Sequence, residues 1–62
     1  MMTIMFNKLK AEAADAIQAN NSAKAYQIIG KIEMAYELGR LTWSQQDELT
    51  DMLLDALNFM PQ

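Results

Sequence analysis

Hydrophobic and polar positions recur along this chain in steps of three and four, in three separate runs. In the middle run, AKAYQIIGKIEMAYEL (residues 23–38), Ala25, Ile28, Ile32, Ala35 and Leu38 fall on one stripe of a helix, and Tyr26, Ile29 and Tyr36 widen it to one side. A stripe that wide calls for two neighbours. The first run supplies Met2, Met5, Phe6, Leu9, Ala13, Ala16 and Ile17, with Lys8, Glu12 and Asp15 opposite. The third supplies Leu49, Met52, Leu53, Ala56, Leu57 and Met60. The pattern predicts an all-α fold, a three-helix antiparallel bundle with helices over about residues 3–19, 22–38 and 43–60. No linker, repeat or low-complexity tract interrupts it, so residues 1–62 read as a single helical domain.

The residues between the runs punctuate them. Thr3 is placed to cap the first helix. Asn20 and Asn21 tolerate the left-handed conformation that ends a helix, and Asn21 or Ser22 can accept hydrogen bonds from the amides that begin the next. Gly39, just after Leu38, fits the position past a helix end where a positive φ is needed. Thr42 and Gln45 form a capping box for the third helix, with Ser44 and Asp47 as a second frame, and Pro61 ends the helical potential. Gly30 interrupts the middle stripe at a cost of roughly 1 kcal/mol relative to alanine. Close approach of a neighbouring helix is the expected reason, ahead of a kink or a short strand built from YQII, which would have no partner strand.

Composition narrows the function. Folding a chain of 62 residues removes only about 60% of its accessible surface, a thin margin for stability. Small domains often widen it with disulfides or zinc, but cysteine and histidine are both absent here, so self-association as a homodimer through the first and middle helices is expected to complete the fold. The net charge of −3 has the wrong sign for holding phosphates or anionic membrane. No apolar run reaches the 18 or so residues of a membrane span, and MMTIMFNKLK has no basic region ahead of an apolar one, so a cytoplasmic location is expected.

Zinc-type sites need thiolate or imidazole, and nucleophilic catalysis by a Ser-His or Cys-His pair needs imidazole; the chain has neither. Glu33 with Glu37, or Glu48 with Asp51, could in principle share acid–base work, but no glycine-rich loop or pocket signal accompanies them. No enzyme activity, no metal and no cofactor are expected.

Two features remain for binding. Asp47, Glu48, Asp51 and Asp55 give the third helix an acidic face with no lysine or arginine after Arg40, and repulsion along it costs about 0.2–0.5 kcal/mol per i,i+4 pair. Such a face is either plainly solvated or a surface for a basic protein, such as a nucleic-acid-binding protein whose DNA site it would occlude. The second feature is apolar: Trp43 at a helix start, as a lid over the bundle end or a binding anchor, and Met34, off the main stripe of the middle helix. These six residues are the candidate partner-binding set of a small regulatory or protein-binding adaptor. Two alternatives are a purely structural dimerisation module and a helix-turn-helix DNA reader beginning Thr42-Trp43-Ser44-Gln45-Gln46, against which the four carboxylates argue directly.

Overall fold

Three helices pack around a common core: α1 (Met2–Gln18), α2 (Ser22–Glu37) and α3 (Trp43–Leu57). This computed structural model describes the backbone of residues 2–60 and the side chains of residues 4–60. Each helix packs against both of the others. The radius of gyration is 11.0 Å, close to the roughly 11 Å expected of a compact chain of this length.

The core follows the sequence stripes with one narrowing. Leu9, Ala13 and Ala16 of α1, Ala25, Ile28, Ile32 and Ala35 of α2, and Leu49, Leu53, Leu57 and Met60 from α3 onwards are buried. Met5, Phe6, Ile17, Ile29, Met52 and Ala56 pack against them at the edge. On α2 the stripe is narrower than its residues suggest: Leu38 is 64% exposed, Tyr26 56% and Tyr36 40%. Because α1 and α3 also touch each other, α2 is one corner of a triangle and buries only the sector facing both neighbours.

Local chemistry explains both connections. Asn20 adopts φ 52°, its amide donates to the Ile17 carbonyl and the Asn21 amide donates to that of Ala16. This is the double bond of a Schellman ending, built on asparagine. Asn21 also caps α2, its side-chain oxygen accepting from the Lys24 amide at 3.1 Å. Gly39, at φ 76°, repeats the Schellman ending after α2, with its own amide donating to Tyr36 and that of Arg40 to Ala35. Both halves of the capping box then form: the Gln45 amide donates to Thr42 Oγ1 at 3.1 Å and the Thr42 amide donates to Gln45 Oε1 at 3.0 Å. The frame at Ser44 is therefore not used, and Leu41, which belongs to no helical stripe, is buried between the two caps. Thr42→Ala is expected to lower stability by about 1 kcal/mol, read as a lower urea midpoint with an unchanged denaturant slope.

Four boundaries differ from expectation. α1 starts at Met2, so Thr3 stands inside the first turn rather than ahead of it. The side chains of Met2 and Thr3, and Pro61, lie outside the described residues. The helices expected to end at Ala19 and Leu38 end one residue earlier, where the Schellman bonds begin. α3 stops at Leu57 rather than Met60: the next amides reach back three residues, Phe59 to Ala56 and Met60 to Leu57. This tighter turning suits a residue that precedes proline, which is disfavoured in the helical region. Met60 is buried all the same.

Gly30 overturns its expected role. It is exposed, and a Cβ built on it would meet nothing within 4 Å. No helix approaches it closely. Gly30→Ala is accordingly expected to stabilise by roughly 1 kcal/mol, raising the melting temperature by about 4–8 °C in a domain of this size. A fall in calorimetric melting temperature would mean that this face is covered.

Candidate functional site: the outer face of α3

The rotation of α3 is set by its burial. Leu49, Leu53 and Leu57 take the inward side, and at about 100° per residue Asp51 lies roughly 160° around from Leu49 and from Leu53. It points directly outward. Asp47 and Asp55, one turn before and after, flank it, and all three are exposed. They make no ion pair with any lysine or arginine of the described residues.

Glu48 separates from this group. Lys10 of α1 donates to Glu48 Oε2 at 3.3 Å, and the Lys10 ammonium lies 5.5 Å from the centre of the Phe6 ring. The four carboxylates are thus not uniformly uncompensated, as their sequence suggested: three form the stripe and the fourth ties α3 to α1. Both partners of that pair are more than half exposed, so it contributes at most about 1 kcal/mol. Its consequence is directional, holding Glu48 toward α1. Glu12 behaves alike, accepting from Lys31 Nζ of α2 at 3.0 Å instead of pairing with Lys8 along its own helix.

Trp43 is the first residue of α3 and is 64% exposed, so it does not serve as a lid over the bundle end. Leu54 is 47% exposed and occupies the same edge of the outward sector as Trp43, with Trp43 one turn before Asp47 and Leu54 one turn after Asp51. The result is a line of three carboxylates bordered by two large apolar side chains. Gln45, a candidate reader of base edges, is engaged in the cap through its side-chain oxygen.

Met34 lies elsewhere. It is 56% exposed on the wall of an open groove of about 370 Å³ between α1 and α2, floored by Leu9 and Ala35 and continued by Leu38. Lys8, Lys31 and Arg40 also line this groove. The sequence did not group them, because a run of residues reveals one helix's face but not which residues of two helices meet across a seam. Among the described residues no three carboxylates converge as metal ligands would, and no helix is long and apolar enough to cross a membrane. The chain matches no known protein family, no curated protein and no solved structure.

Proposed function

We propose that this chain is a small, non-catalytic, cytoplasmic adaptor that binds a basic protein through the outer face of α3. One observation carries the reading: Asp47, Asp51 and Asp55 stand in line, exposed and without a cation among the described residues, on the face that carries the exposed Trp43 and Leu54. A purely structural helix would gain by losing these like charges, whereas a basic surface meeting them gains long-range attraction, with Trp43 and Leu54 as apolar anchors. A nucleic-acid-binding protein, whose DNA site the stripe would cover, fits this chemistry. The adaptor is an antiparallel bundle in this reading. Glu12 and Lys31 stand at similar distances on either side of the Asn20 turn and bond to each other, as an α1–α2 hairpin requires. Self-association is the second part of the proposal, supported by the exposed apolar residues Ile4, Met34 and Leu38.

The test is capture from the native host with the unchanged chain and with Asp51→Asn/Asp55→Asn. A basic protein held by the first and released by the second, or by salt, is the expected result. A partner held equally by both removes the stripe from the reading.

A further inference from the structure

Charge is segregated across the molecule. The seam between α1 and α2 carries Lys8, Lys31 and Arg40 against one carboxylate, Glu12, around exposed Met34 and Leu38. No residue of α3 lines it. Since α3 packs against both α1 and α2 from the inner side, the seam and the outer face of α3 lie on opposite sides of the bundle. The groove lining is cationic and apolar, the outer face of α3 anionic and apolar, on a chain whose net charge is −3.

We infer that the α1–α2 groove receives the outer face of α3 from a second copy of this chain, so that copies associate head to tail. The groove is open and apolar at its floor, and the complementary surface is on the same molecule: Asp51 and Asp55 meet Lys8 and Arg40, which make no ion pair among the described residues, while Leu54, one turn from Asp51, meets Met34 and Leu38. Methionine suits such a seat because its unbranched thioether adapts to the side chain it receives. A symmetric dimer that placed groove against groove would instead bring Lys8 and Arg40 of both copies together, and like charges at close range are strongly disfavoured. Because the two surfaces lie on opposite sides, the contact is heterologous: each copy added leaves one groove and one stripe open, and assembly continues unless it curves into a ring. The inference goes beyond the basic-partner reading. It names what covers the stripe when that partner is absent, and the partner then competes with the groove of the neighbouring copy.

Two blocked variants test it. Lys8→Glu/Arg40→Glu spoils the groove and keeps the stripe; Asp51→Asn/Asp55→Asn spoils the stripe and keeps the groove, and its neutral side chains offer no charge to the reversed groove. All four residues are exposed, and circular dichroism checks that each variant is folded. By sedimentation at low salt, the unchanged chain is expected to gain mass continuously with concentration, while each variant stays at 7.0 kDa. Mixed together, the variants should form a one-to-one pair that grows no further, since one intact groove meets one intact stripe. Association should weaken at least about tenfold in 1 M salt, where screening acts within about 3 Å. A plateau at twice 7.0 kDa, a monomer at every concentration, or variants that do not pair on mixing would each overturn the inference. If Lys8→Glu/Arg40→Glu does not fold, Met34→Ala/Leu38→Ala replaces it, with the same loss of mass growth expected. The groove variants retain Asp47, Asp51 and Asp55 and lose the competing groove, so they bind a basic partner at least as tightly as the unchanged chain, and the two proposals fail separately.

Discussion

Leu53→Ala is expected to remove about 2–5 kcal/mol of stability and Leu54→Ala, one residue on, less than about 0.5 kcal/mol. Leu53 is fully buried, one of the four largest side chains so placed, with Ile28, Ile32 and Leu49. Truncating it loses the transfer energy of its methyl groups and leaves a cavity that three helices locked at their caps cannot close. Native domains hold roughly 0.05–0.15 kcal/mol per residue, which for 62 residues is roughly 3–9 kcal/mol. The loss at Leu53 is therefore a large share of the total, and the variant should show a shallow or absent urea transition by circular dichroism. Leu54 is 47% exposed and leaves no cavity. Equal losses at the two positions would mean that α3 is rotated from the orientation described, and the outward direction of Asp51 would fall with it.

The helix ends were legible because their signals are local. Gly39, Asn20 and the Thr42–Gln45 box act through bonds within a few residues, and each formed as its chemistry required. The α3 stripe was legible for the same reason, every one of its apolar positions being buried or at the core edge. What failed needed knowledge of a second element. Tyr26, Tyr36 and Leu38 fit the period of α2, but periodicity gives the direction of a face and not the width its neighbours cover. Gly30 looked like a contact because it interrupts that face, yet it lies beyond the covered sector. Glu48 was read as one of four unpaired carboxylates, since its pairing with Lys10, like that of Glu12 with Lys31, depends on the register between helices. Leu41 was missed because it has no period at all: two caps back to back bury it. Of the candidate site, Asp47, Asp51, Asp55 and Trp43 share one face; Glu48 turns toward α1, and Met34 belongs to the opposite groove.

Replacing Asp51 and Asp55 with asparagine is expected to slow association with a basic partner by tenfold or more at low salt while leaving the fold intact. The two effects have opposite signs and one cause. Within the chain, Asp47, Asp51 and Asp55 are neighbours one turn apart that repel by about 0.2–0.5 kcal/mol per pair, so removing two charges leaves stability equal or slightly raised. Toward a partner, the same charges act at a distance: fields of this kind raise on-rates by roughly 10- to 1,000-fold, and screening shortens their reach to about 8 Å at physiological ionic strength. Asparagine keeps the shape of the side chain and one acceptor oxygen, so loss of rate with little change in off-rate isolates the charge. Salt should imitate the substitution in the unchanged protein and have much less effect on the variant. Trp43→Ala supplies the contrast, because an apolar anchor acts after docking and its loss should appear in the off-rate. Stopped-flow binding across a salt series separates these outcomes. If the double variant associates as fast as the unchanged chain at low salt, the three carboxylates only solvate their helix, and recognition rests on the apolar border of Trp43 and Leu54.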